Sequence, residues 1–158
     1  MPSTNKKDRA ILNSLVCFAF NLSKDPRTKV GAAVVSSDFE QIQFSYNGFP
    51  SGFEDSEENW KPENKSSYVI HAEMNAITRC PFDKKGATLY CTLTPCHPCL
   101  NIIAGTGISD LVFIDSRPNN SVEYNNLLKR FNSVRKYEAQ EIINLEGITE
   151  MLYKGFLG

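Results

Sequence analysis

Apolar residues at Ile11, Leu12, Leu15, Val16, Ala19 and Phe20 recur three and four positions apart, the repeat of a helix with one buried face. The spacing predicts a helix over 6–24 that stops at Asp25-Pro26, since the residue before a proline disfavours the helical region. Two short apolar runs follow at 30–36 and 41–46. They predict strands of an antiparallel hairpin turning near Asp38. Asn47-Gly48 marks a turn. Residues 48–66 begin with Gly48, Pro50 and Gly52 and become acidic at Glu54, Asp55, Glu57 and Glu58. Their length and composition predict a loop over a functional site, with Trp60 either packing it down, the commoner role, or covering a ligand. Helical spacing returns at 71–80, 96–106 and 122–132, and apolar strand runs at 87–93, 111–115 and 134–138. From 139 onward Ile142, Ile143, Leu145, Ile148, Met151, Leu152 and Phe156 predict a last helix. The order is αββαβαβαβα. Strands separated by helices run parallel in one sheet covered on both faces. The expectation is a three-layer α/β/α sandwich with a mixed five-stranded sheet, in one domain over 1–158.

Composition narrows the class. A chain of 158 residues with 41% hydrophobic and 22% charged residues has enough apolar material for one core. The net charge of −1 gives no global sign of nucleic-acid or membrane binding. Lys6, Lys7 and Arg9 before an apolar run superficially resemble a short leader, but Asn13 and Ser14 interrupt that run, and an amphipathic helix explains it better. Five cysteines form no even disulfide framework; two have a separate use below, and Cys17, Cys80 and Cys91 read as buried or free thiols. A reducing, cytoplasmic setting fits this usage.

The chemistry is concentrated in His71-Ala72-Glu73 and in Pro95-Cys96-His97-Pro98-Cys99, which begins 22 residues after the glutamate. One imidazole and two thiols make three ligands, the number that leaves a catalytic zinc one open position. Such a site acidifies water, and a nearby carboxylate can carry its protons. Pro95 is expected to open a helix, which places Cys96 and Cys99 at i and i+3 on one face near the positive end of the helix dipole. His71 is expected at another helix start, with Glu73 outside the ligand set. Alternatives are a redox pair or a four-ligand structural zinc. His97 lies between the cysteines and points off their shared face, so it reads as a rim residue. H-x-E followed by P-C-x-x-C is the known signature of zinc nucleobase deaminases.

The chain resembles the deoxycytidylate (dCMP) deaminases of the cytidine deaminase-like fold from about residue 10 to about residue 117. The carriers are SKDPRTKVGA at 23–32, SYNGFPSG at 45–52, HAEMNAI at 71–77 and TLTPCHPC at 92–99. The resemblance implies a Zn2+ held by His71, Cys96 and Cys99 and a water that attacks C4 of the cytosine ring; some members of the family carry extra zinc ligands, and since the sequence shows no comparable cluster, one zinc per chain is expected. Glu73 would take the water's proton, protonate N3 and later deliver a proton to the departing amine, giving dUMP and ammonia. Asn47 would contact the deoxyribose, with Ala72 also at the substrate. Ser23, Arg27 and Arg117 would meet the phosphate, with Lys24 and Lys29 as weaker candidates. The resemblance further implies a hexamer, dCTP activation and dTTP inhibition through Tyr46, Asn47 and Gly48, and a Mg2+ ion accompanying a triphosphate effector. Ser45 replaces the first glycine of that region, which would weaken regulation if close backbone approach is needed there.

Three other readings remain open on the sequence. One is a deaminase of dCTP or of free cytidine or deoxycytidine. Another is a tRNA adenosine deaminase, against which the slightly acidic charge and acidic loop argue. The third is a catalytically silent zinc module, against which Glu73 argues.

Overall fold

A computed structural model of the protein describes residues 4–142. The elements are α1 (Thr4–Leu22), β1 (Gly31–Val35), β2 (Ile42–Tyr46), α2 (Pro62–Lys65), α3 (Ala72–Arg79), β3 (Thr88–Cys91), α4 (His97–Ala104), β4 (Asp110–Ile114), α5 (Val122–Leu128), β5 (Ser133–Tyr137) and α6 (Ala139–Ile142). The five strands form one sheet in the order β2-β1-β3-β4-β5. β1 runs antiparallel to both β2 and β3, whereas β3, β4 and β5 are mutually parallel. The mixed sheet thus joins a hairpin to two crossover units, as expected from the element order.

The two faces of the sheet follow the strand period of two. Ala32, Val34, Leu89, Cys91, Leu111 and Phe113 pack against Ala72, Ala76 and Ile77 of α3, Cys99, Leu100 and Ile103 of α4, and Tyr124 of α5. Ala33, Val35, Tyr90, Val112, Ile114 and Tyr137 pack against Ile11, Leu12 and Leu15 of α1 and Ile142 of α6. Every residue of β1 is buried, so this strand shows no polar alternation in the sequence. Gly31 starts it where a Cβ would stand 2.9 Å from the Leu15 carbonyl oxygen, so α1 lies directly on the backbone there.

Several boundaries differ from expectation. The 48–66 loop contains α2, a single short helix with Pro62 in its first turn. Pro95 does not open α4. Cys96 is the N-cap, with extended backbone angles, and Pro98 occupies the first turn instead. Proline is tolerated at either place, and the extended Cys96 moves the helix start on by one residue. α5 ends at Leu128, short of the expected 132. Of the predicted last helix, Ala139–Ile142 is helical; Ile143, Leu145, Ile148, Met151, Leu152 and Phe156 lie outside the described residues.

Candidate active site

Parallel strands carry their crevice at their carboxyl ends. Here the segment after β3 supplies Leu93, Thr94 and Cys96, and the segment after β4 supplies Arg117. The two segments are stitched together: Thr94 Oγ1 accepts the N–H of Ser116 (3.0 Å) and of Arg117 (3.1 Å), and Thr94 N donates to Ser116 Oγ (3.2 Å). β1 is antiparallel to β3, so the segment before β1 reaches the same end and adds Asp25, Thr28 and Val30. A cavity of about 350 Å³ opens there. That is at the small end of the range for small-molecule sites, which is ~300–1,000 Å³.

His71 and Cys96 are the N-caps of α3 and α4, and neither side chain caps its own helix. Both are therefore free to turn towards each other. His71 Nδ1 lies 3.5 Å from Cys96 Sγ and 3.3 Å from Cys99 Sγ. The three donor atoms all fall within 4.8 Å of one another. A tetrahedral zinc with ordinary Zn–N and Zn–S bonds has N···S edges of ~3.6 Å, close to both N···S distances here, so the donor set fits zinc. Cys99 is buried while His71 is exposed, so the set has a dry floor and an open side. His97 takes no part: its ring sits edge-on to Tyr124, centroids 6.1 Å apart. Tyr124, itself buried, donates its hydroxyl to the Pro95 carbonyl (2.7 Å) and so braces the turn that carries Cys96.

Glu73 stands in the first turn of α3 and is 4% exposed. Burial raises its carboxyl above the usual value, against the opposing pull of its own main-chain N–H, His71 and Cys91. Among the described residues none of the ion pairs involves it. A dry carboxyl whose proton is held more tightly than usual suits a group that must both accept and donate protons near neutrality.

Of the residues expected at the site, Asn47, His71, Ala72, Glu73, Cys96 and Arg117 line the cavity, and Cys99 completes the donor set. Ser23 and Arg27 do not line it. Ser23 is buried, and its hydroxyl donates to Asn47 Oδ1 (2.8 Å). The Arg27 side chain is exposed, and its main-chain N–H donates to Asp25 (2.9 Å). Asn47 is strongly held: Oδ1 also accepts the Val30 N–H (2.9 Å), and Nδ2 donates to Thr28 O (2.9 Å) and, at a long 3.4 Å, to Asp25 Oδ2. That last contact is the one a ligand hydroxyl could replace. Tyr46 and Gly48 lie beside this region without lining the cavity: Tyr46 O accepts Asn75 Nδ2 (3.0 Å), and Gly48 bridges to Ile70. The sequence does not mark Asp25, Thr28, Val30, Lys65, Ser66, Val69, Leu93 and Thr94 as lining residues. Asp25 lay inside a recognised motif, whereas Lys65 had no distinguishing signal in a polar loop.

The family described as the cytidine and deoxycytidylate deaminase zinc-binding region matches residues 6–115. The human deoxycytidylate deaminase is 37% identical over 108 residues, 64% of this chain and 61% of that protein. A probable deoxycytidylate deaminase of Caenorhabditis elegans is 40% identical over 101 residues, 60% of this chain and 51% of that protein. The chain thus spans less than two thirds of the length of these relatives. The crystal structure of the dCMP deaminase of cyanophage S-TIM5 in complex with dCMP and dUMP is similar over 87% of this chain and 99% of that one, with a TM-score of 0.65 and 26% identity. Its apo form gives a TM-score of 0.67 over 87% of this chain and all of that one. The paired helix starts that carry His71, Cys96 and Cys99 thus sit within the matched region, and the chain belongs to the zinc-binding cytidine and deoxycytidylate deaminase family.

Proposed function

We propose that the protein is a zinc-dependent hydrolase that converts dCMP to dUMP and ammonia. The observation that carries this reading is the convergence of one imidazole nitrogen and two thiols beside a buried glutamate, at the mouth of a mononucleotide-sized cavity. His71, Cys96 and Cys99 would hold one zinc ion per chain. The chemistry zinc supplies in such a set is acidification of water to a nucleophile at neutral pH. Glu73, lining the cavity beside the donor set, would take a proton from the attacking water and pass it to ring N3 as the oxygen bonds to C4. It would then take the second proton, from the hydroxyl now on C4, and give it to the amine as the C4–N bond breaks, so that C4=O forms, ammonia leaves and dUMP remains. Asn47, held on both amide atoms, presents a rigid edge to the deoxyribose, and Ala72, fully buried at the start of α3, forms part of the wall. Arg117 offers positive charge at the rim for the phosphate. Ser23 contributes by fixing Asn47, and Arg27 remains a candidate for the phosphate's outer shell.

The family resemblance suggests a homo-oligomer, a hexamer by analogy, and the odd cysteine count fits a cytoplasmic setting. Control by dCTP and dTTP through Tyr46, Asn47 and Gly48, with Mg2+ on the triphosphate, is part of the same reading, weakened here by Ser45. The test is ammonia release by purified, zinc-loaded protein with dCMP, dCTP, deoxycytidine, CMP and adenosine-containing RNA, repeated across a dCTP and dTTP titration. Strong turnover of dCMP with a blunted effector response is expected. Equal turnover of deoxycytidine would replace the reading with a nucleoside deaminase, turnover of dCTP with a triphosphate enzyme, and silence with a zinc-bearing interaction module.

A further inference from the structure

Two cations line the cavity, Lys65 and Arg117, and they are held differently. Arg117 is exposed, and its guanidinium enters no ion pair among the described residues. Lys65 is anchored: its Nζ stands 2.8 Å from Asp25 Oδ2, with the two side chains 20% and 2% exposed. Asp25 is fixed in turn by the N–H groups of Arg27 (2.9 Å) and Thr28 (3.1 Å). Burial alone would raise the Asp25 carboxyl, but Lys65 and these two amides outweigh it and hold it below its usual range. A second pair, Lys24 Nζ to Asp55 Oδ2 at 2.8 Å, joins the same two segments, and Trp60 Nε1 donates to Asp55 Oδ1 (3.3 Å). The loop bearing Lys65 is thus tied to the segment bearing Asp25 at two points, and the lysine is fixed in the cavity wall before any ligand arrives.

An ammonium carries three donors, and Asp25 occupies one direction. The rest of its hydrogen-bonding capacity is free for an anion in the cavity, in partial burial where salt screens it less than at the surface. A nucleotide's phosphate monoester offers that anion; a free nucleoside offers none. Resting on the dCMP reading above, we propose that Lys65, oriented by Asp25, is the specificity-determining residue that selects the 5′-phosphorylated nucleotide over the free nucleoside.

The test compares kcat/KM for dCMP and for deoxycytidine in the zinc-loaded enzyme, Lys65→Met, Lys65→Arg and the double variant Lys65→Met with Asp25→Asn. Charged hydrogen bonds of this kind correspond to roughly 10- to 100-fold in rate constant ratio. Lys65→Met is expected to lower the dCMP-to-deoxycytidine ratio by that factor, Lys65→Arg to recover part of it, and the double variant to stay low. If the double variant regains the parent ratio, Lys65 only neutralises Asp25 and the proposal is overturned. A Lys65→Met enzyme that loses both substrates alike overturns it as well. Should Lys65→Met not fold, Lys65→Gln keeps a donor for Asp25 without the charge and reads the same ratio. A parent enzyme silent on both substrates overturns the dCMP reading, and the proposal with it; an active parent whose ratio does not move in the variants overturns the proposal alone.

Discussion

Two carboxylates are buried on opposite faces of the same sheet, and their surroundings differ in kind. Asp8, on α1, is fully buried and saturated: it accepts from Tyr90 Oη (2.9 Å), Tyr137 Oη (2.7 Å), Arg135 Nε (2.6 Å) and Arg135 Nη2 (3.1 Å). Those partners come from β3 and β5, so one carboxylate ties the first helix to two strands. Glu73, on α3, is almost as deeply buried but is paired with no cation among the described residues. A buried charge with a full set of partners fixes geometry, and removing one partner is costly. A buried carboxyl without a countercharge holds a proton more tightly than usual, and no partner fixes it in one role. The fold surrounds the carboxylate on the far face with a guanidinium and two phenols, and leaves Glu73, beside the donor set, without an ion pair among the described residues.

The sharpest way to break this comparison is to neutralise each carboxylate. Glu73→Gln keeps size and burial but removes the proton carrier. Turnover is expected to fall by about 10²- to 10⁴-fold. Zinc content by metal analysis should stay at the parent level. In metal-stripped protein the urea midpoint should be unchanged or raised, since the variant no longer buries an unpaired acid. Retained turnover would remove Glu73 from the mechanism.

Asp8→Ala should do the reverse. It strands the Arg135 guanidinium and two buried tyrosine hydroxyls, and a broken buried pair of this sort costs about 3–5 kcal/mol. Urea unfolding should show that loss, while activity per folded molecule, measured well below the transition, should be unchanged. Loss of turnover without loss of stability would mean that the two faces are coupled through the sheet and that their separation into roles is wrong.

Alkaline titration probes the same cluster more gently. Burial, then Asp8, raises Tyr137 from 10.0 to about 12, and Tyr90 is raised by the same two causes. A tyrosine whose folded value lies above its unfolded value stabilises the fold fully below the unfolded value. That contribution is lost as pH rises through the folded value. The urea midpoint should therefore decline between pH 10 and pH 12. Tyr137→Phe should start lower and decline less steeply. An equal slope in the variant would place the alkaline loss elsewhere.

The contrast between the faces also explains what could be read without a structure. The donor set was legible because Cys96 and Cys99 stand three apart and His71 stands two before Glu73, so two short local spacings carry the chemistry. The hairpin and the crossover units were legible because apolar runs alternate with helical periods. The insertion of β1 between β2 and β3 was not legible, since no residue in either strand declares its second neighbour. The Asp8 cluster was equally hidden: Asp8 and Arg135 are 127 positions apart, and each alone reads as a surface charge. Lys65 reaches the cavity through a tertiary pairing with Asp25, 40 positions away. Ser23 and Arg27 show another effect of the tertiary structure. Their motif was recognisable, but the turn directs the serine inward to Asn47 and leaves the arginine outside the cavity.

The smallest expected effect comes from a single oxygen on the cavity side. Tyr124 on α5 donates to the Pro95 carbonyl at 2.7 Å, immediately before the Cys96 N-cap. Tyr124→Phe removes that bond and leaves a buried carbonyl short of a partner, at a cost of about 1 kcal/mol. Since the bond braces the turn carrying one sulfur of the donor set, the loss should appear in metal retention: zinc transfer to a chelator should be a few-fold faster, with kcat in excess zinc little changed. Tyr137→Phe deletes the same hydroxyl on the far face and should leave zinc transfer at the parent rate while lowering the urea midpoint. If the two variants affect zinc transfer equally, the donor set is governed by global stability; if only Tyr124→Phe does, the cavity face has its own local control over the turn that holds Cys96.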